Sequence, residues 1–287
     1  MSNIDISSSI LSELELDEFI AFDLETTGLN PKKDCITEIA AYRFINGEHI
    51  NEYSALVNPG ILIPSNITEI TGIDDEMLKD APCLEDVLPG LLKFIGSAPL
   101  VGQNLDFDIS FINEACNQNA SSMQDVPLYD TLSLARTFIY FHNSFNLSSL
   151  CDYYDISFEN AHRAGADALA TGILFKFLIQ EAMSRSLNLM QKMDVILKNS
   201  DLVYNSKLFS NISRLYVASN LTNRLMNSPS NYSTPNNIYC MENASKKSEM
   251  PKSPLSWFDD IGPINDNWIG YEKRSSQIDL MTDIHSA

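Results

Sequence analysis

Two carboxylates one residue apart, Asp23 and Glu25, close a short apolar run, Phe19-Ile20-Ala21-Phe22, whose length and aromatic content fit a buried strand. Side chains at positions i and i+2 of a strand leave the same face, so these like charges repel unless a cation sits between them. An isolated D-x-E usually does no more than end a strand, with Thr26, Thr27 and Gly28 making the turn; the full string DLETTG is far less common. Asp106 and Asp108 stand near the start of a predicted helix just after Leu100-Val101, at the C-terminal edge of a strand, where sites in α/β sheets gather. Either one alone would be an ordinary partner for a helix dipole. His162 and Asp167 open the last long helix, and histidine has a pKa range suited to proton transfer. Clustered carboxylates can hold divalent cations, which then supply the positive charge that a phosphate meets.

The elements that must position these residues follow from periodicity. Ile36 to Ile45 and Ile50 to Val57 flank Asn46-Gly47, a favoured hairpin turn, which predicts a three-stranded antiparallel start. Residues 64–80 read as irregular or briefly helical. Leu84, Val87, Leu88, Leu91, Leu92 and Ile95 recur at helical spacing, Pro99 to Gly102 reads as a strand, and Phe107, Phe111, Ile112 and Ala115 mark a helix face. Leu128-Tyr129 is a last short strand, and a final helix runs from near Ala164 past Ile179. Paired strands followed by alternating strands and helices predict an α/β domain, a mixed sheet with helices on its faces. The predicted organisation is an N-terminal lead over 1–17, the α/β domain over 18–182, a helical extension over 183–226, a linker over 227–256 and a short module over 257–287.

Charge narrows the classes of function. The net charge of −19 arises entirely within residues 1–180, which hold 27 acids and 8 basic residues, while the remainder is neutral. A surface this acidic repels polyanions, which argues against a protein that wraps duplex DNA. No run of about 18 apolar residues occurs and the N-terminus lacks a basic leader, so neither a membrane span nor secretion is expected, and the expected location is cytoplasmic. Five scattered cysteines without a C-x-x-C pair predict reduced thiols, most of them buried, and no zinc site.

The strings DLETTG at 23–28, QNLDFD at 103–108 and HRAGADALAT at 162–171 resemble, in order and spacing, the three motifs of the DEDDh exonuclease family. This family includes the epsilon proofreading subunit of bacterial replicative polymerase, ribonuclease T and oligoribonuclease. ITGI at 70–73 and YDTLSLAR at 129–136 extend the likeness to about residues 18–180. The resemblance implies a ribonuclease H-like fold and hydrolysis of nucleic acid from 3′ ends to 5′-mononucleotides, in DNA replication or repair. Single-stranded DNA is the favoured substrate and short RNA or tRNA 3′ ends the alternative. It further implies that Asp23, Glu25, Asp108 and Asp167 bind two divalent ions, Mg²⁺ or Mn²⁺, with His162 as general base and Asp106 outside the metal set. Two such ions, about 3.5–4 Å apart, can activate water and stabilise the leaving oxygen. Thr26, Thr27, Ile70, Asn104 and Phe107 would contact substrate. Gln103 departs from the histidine common at this place in the family, with an effect expected on neighbouring side chains and not on activity.

GYEKRSSQIDLM at 270–281 resembles the segment that opens the helicase core of DinG-type helicases, where an aromatic residue and an Arg-x-x-Gln element contact adenine. Tyr271, Arg274 and Gln277 would be those residues. No G-x-x-x-x-G-K-[ST] loop follows, so no ATP hydrolysis is expected from this chain. Gln277 to Met281 also resembles a peptide that docks on the sliding clamp. The expected partners are therefore nucleic acid 3′ ends and either a helicase core or the clamp, with no membrane.

Overall fold

The strand that ends in Asp23 and Glu25 lies at the centre of a five-stranded sheet. The computed structural model of the chain describes residues 6–157, 162–200 and 204–219. Helix α1 (Ser8–Glu13) precedes β1 (Glu18–Thr26), and β2 (Ile36–Ile45) and β3 (Glu48–Leu56) form the hairpin. Helices α2 (Ser65–Thr71), α3 (Asp75–Leu78) and α4 (Leu84–Ile95) lead to β4 (Leu100–Gly102), α5 (Leu105–Gln118) and β5 (Leu128–Asp130). Then follow α6 (Thr131–Phe138), α7 (Leu147–Tyr153), α8 (Ala164–Met183), α9 (Leu187–Lys198) and α10 (Ser206–Ser219). The sheet order is β3-β2-β1-β4-β5, antiparallel through the first three strands and parallel from β1 to β5. This is the mixed sheet flanked by helices that the sequence predicts. Asn46 and Gly47 carry positive φ angles of 53° and 82°, as a tight primed hairpin turn requires.

Alternation along β1 divides the core. Phe19 and Ala21 pack with Leu174 and Phe175 of α8, whereas Ile20, Phe22 and Leu24 pack with Leu88 and Leu91 of α4 and Leu105 and Ile112 of α5. The Phe19 ring stacks on Phe44 at 4.9 Å and meets Phe175 edge-on at 5.4 Å. Small residues recur every fourth position along α8, at Ala164, Ala168 and Gly172. Ala164 and Ala168 touch Ala40, and a Cβ on Gly172 would lie 2.3 Å from Phe44 Cε2 and 2.9 Å from the Ala21 Cβ. The helix therefore lies directly on the sheet, and its first turn reaches the C-terminal end of β1.

Three features differ from the periodic reading. The N-terminal lead contains α1, and Leu11, Leu14 and Leu16 are fully buried. These leucines share one apolar cluster with Phe175 of α8 and with Leu208, Phe209 and Ile212 of α10, so side chains from residues 6–17 and from beyond 182 belong to the same core as β1. Helices α6 and α7 are too short for a clear period and are marked by their caps: Asp130 Oδ2 accepts the Ser133 N–H at 2.9 Å, and Asn146 Oδ1 accepts the Ser149 N–H at 2.8 Å. Cys35, Cys83, Cys116 and Cys151 are free thiols; the last two are buried, whereas Cys35, in the loop before β2, and Cys83, at the N-cap of α4, are partly exposed. No helix among the described residues is long and apolar enough to cross a membrane.

Candidate active site

Because Phe19 and Ala21 face α8, alternation puts Asp23 and Glu25 on that same face, beneath the first turn of the helix that carries Asp167. One carboxylate oxygen from each of Asp23, Glu25 and Asp167 lies within 4.8 Å of the others. Asp108 arrives from α5, on the other side of the sheet. It is buried, and its Oδ1 accepts the Leu24 N–H at 3.0 Å, so it lies against the backbone between Asp23 and Glu25 and outside that group of three. Asp106, two residues earlier, points away and accepts the Tyr204 hydroxyl at 2.9 Å.

His162 precedes α8 in a left-handed conformation, φ 66°, and its backbone N–H donates to Asp167 Oδ1 at 3.2 Å. The contact with the acidic group is made by the backbone, while the His162 side chain is exposed. Thr26 and Thr27 are buried and close the loop after β1: the Thr26 hydroxyl donates to the Gly28 carbonyl at 2.6 Å, and Thr27 Oγ1 accepts the Cys35 N–H at 2.9 Å. Phe107 stands one residue before Asp108, its ring centroid 5.0 Å from that of Phe111. Asn104 is exposed at φ 64°, its N–H donating to Asp130 Oδ1 at 2.8 Å, and Ile70 is exposed on α2. Tyr271, Arg274 and Gln277 lie outside the described residues.

Crowding raises the acids out of the usual carboxylate range. Burial, then the charges of Asp108, Asp167 and Glu25, hold Asp23 well above it. Burial followed by Asp167 and Glu38 pushes Glu25 up to about 7, with Arg163 acting in the opposite sense. Asp167 is pushed up to about 6 by burial, against the His162 N–H. Asp108 is raised by burial, with the Leu24 N–H opposing. Such acids resist ionising together at neutral pH unless a cation joins them, and an all-oxygen donor set of this kind suits a hard divalent ion.

One residue outside the three motifs, Glu38, holds the arrangement. Glu38 is paired in register with Glu25 and is buried, and it binds Arg163 and the Ala164 N–H at the start of α8. The signal was present: Ile36 to Ile45 reads as a buried strand, and a lone acid inside it needs a partner.

The sequence model of the exonuclease family, RNase_T, matches residues 20–175. The DNA polymerase III PolC-type protein of Caldanaerobacter subterraneus subsp. tengcongensis is 39% identical over 171 residues, 59% of this chain. That of Bacillus subtilis strain 168 is 35% identical over 175 residues, 61% of this chain. This chain spans 12% of the length of either relative. Among solved structures, the zinc-bound E. coli exonuclease I–single-stranded DNA complex aligns with a TM-score of 0.54 and 22% identity, over 62% of this chain and 43% of that one. Another exonuclease I structure aligns at 0.53 and 20%, with the same coverage. At these identities the likeness fixes the fold, a ribonuclease H-like sheet with its flanking helices.

Proposed function

The chain belongs to the exonuclease family, and on that premise we propose that it removes 5′-mononucleotides from the 3′ end of single-stranded DNA, with Mg²⁺ or Mn²⁺, in replication or repair. The observation that carries this reading is the convergence of the Asp23, Glu25 and Asp167 oxygens, with Asp108 buried beside them. These four carboxylates would hold the ions and set where a scissile phosphate can approach. Two divalent ions held there would supply an activated water and would stabilise the charge that develops on the phosphoryl group and the leaving 3′ oxygen. His162 would take the water's proton on an imidazole nitrogen, the backbone N–H bond to Asp167 anchoring the residue beside the acidic group. Phe107 and Ile70 offer apolar surface to the terminal bases, a grip that suits a domain too acidic to hold phosphates by basic residues.

Matched DNA and RNA oligonucleotides labelled at the 5′ end, incubated with Mg²⁺ or Mn²⁺ beside a His162→Ala control, test the proposal. A ladder that shortens from the 3′ end on DNA and vanishes in the control supports it. Preference for RNA would replace the substrate, and cleavage of neither would leave a nucleic-acid or partner-binding module. For 257–287 the proposal stays that of the sequence, the start of a helicase core, with clamp docking as the alternative. Binding of the full chain to a sliding clamp, lost in Gln277→Ala, would favour the latter.

A further inference from the structure

Among the described residues, β5 is an edge of the sheet, and no strand pairs with one side of its backbone. A single residue just before α10 fills the place. Asn205 is buried at φ 63° and donates its N–H to the Leu128 carbonyl at 2.9 Å. Its Oδ1 accepts the Asp130 N–H at 3.0 Å, and its Nδ2 donates to the Asp130 carbonyl at 3.1 Å and to Ser133 Oγ at 2.8 Å. The side-chain amide thus stands where the peptide group of a sixth strand would be.

Asp130, so held, does further work with its carboxylate. Oδ1 accepts the N–H groups of Asn104 at 2.8 Å and Leu105 at 3.1 Å, the residues that open α5, and Oδ2 caps α6 through Ser133. Asn104 is itself in a left-handed conformation, so the entry angle of α5 depends on those bonds. Tyr204, the neighbour of Asn205, packs against the apolar cluster under α5 and ties its hydroxyl to Asp106. One turn into α5, Asp108 reaches the Leu24 N–H between Asp23 and Glu25.

We propose that Asn205 is a positioning residue for the acidic site: it fixes Asp130, Asp130 fixes the start of α5, and α5 sets where Asp108 and Phe107 stand. A segment beyond residues 20–175, the part matched by the exonuclease family, thereby becomes necessary for full metal binding. This inference rests on the metal-dependent exonuclease reading above.

Asn205→Gly removes the amide without straining the left-handed backbone, and Asn205→Asp keeps its size while setting an acceptor against the Asp130 carbonyl. Each is measured in the full chain, well below its melting temperature, for Mn²⁺ affinity by calorimetric titration of metal-free protein and for kcat and KM on a labelled single strand. The expected result is about tenfold weaker Mn²⁺ binding and about tenfold lower kcat, the scale typical of residues that orient metal ligands, with KM little changed. Folded variants with wild-type Mn²⁺ affinity and kcat, altered only in melting temperature, would overturn the proposal and leave Asn205 as an edge cap. Should Asn205→Gly not fold, Asn205→Asp decides by the same readouts. Failure of the wild-type chain itself to bind Mn²⁺ or cut DNA would instead refute the reading on which the inference rests.

Discussion

Glu38 grips Arg163 at two points, Oε2 to Nε at 3.0 Å and Oε1 to Nη2 at 2.7 Å, across 125 residues of sequence. The same Oε2 accepts the Ala164 N–H at 3.0 Å, and so serves as the N-cap that α8 lacks in its own sequence. A strand acid from β2 therefore sets the height at which α8 begins, and with it the distance from Asp167 to Asp23 and Glu25.

Replacing Glu38 by Ala leaves Arg163 and the first N–H of α8 without their partner. Removal of one member of a buried pair costs about 3–5 kcal/mol, and the partial exposure of Arg163 places this case near or below the lower figure, about 2–3 kcal/mol. We expect a lower melting temperature and weaker Mn²⁺ binding, with Glu38→Gln milder in both. Scanning calorimetry and Mn²⁺ titration check this; an unchanged affinity would show that the clamp does not set the metal site.

The raised carboxyls make stability depend on pH in a defined sense. Glu25 at about 7 and Asp167 at about 6 bind protons in the folded state that an unfolded chain, titrating near about 4, has already released. Between about pH 4 and 7 the folded protein holds more protons, so these groups make the metal-free protein less stable as pH rises. Saturating Mn²⁺ should reverse the penalty at about pH 7.5, adding about 2.7 kcal/mol at a hundredfold excess over Kd, or roughly 5–10 °C in melting temperature. At about pH 5, protons compete and the gain should be much smaller. Equal metal-induced shifts at the two pH values would contradict the assignment.

His162→Ala should separate chemistry from metal binding. The imidazole is not among the three converging carboxylates, so Mn²⁺ affinity should stay within a few-fold of wild type, while kcat falls about 10²–10⁴-fold, as for loss of a general base. Asp167→Asn should lose both. Rates at saturating substrate, read beside Mn²⁺ titrations of each variant, distinguish the two roles.

Gly172→Ala tests the contact between α8 and the sheet. The added methyl would meet Phe44 and Ala21 well inside contact distance, so overpacking should cost about 1–3 kcal/mol. Chemical denaturation measures this loss directly. A neutral or stabilising outcome would mean that α8 can move off the sheet without cost.

The sequence by itself determined which residues share a face of β1 and α8, and where the first strand, the hairpin turn and the last long helix of the α/β domain fall. The apolar run into Asp23-Leu24-Glu25, the Asn46-Gly47 turn and the start of α8 at Ala164 are local patterns, read from alternation, turn chemistry and a 3.6-residue period. Tertiary structure alone decided which faces meet. Glu38 finding Arg163, Asp108 finding the Leu24 N–H 84 residues away and Asn205 completing the edge of β5 all depend on sheet order and register. Leucines 11, 14 and 16, set among serines and acids, acquire a core only once α8 and α10 are laid against them. No local period encodes such pairings, because their free energy comes from burial and from hydrogen bonds between segments that the chain itself keeps far apart.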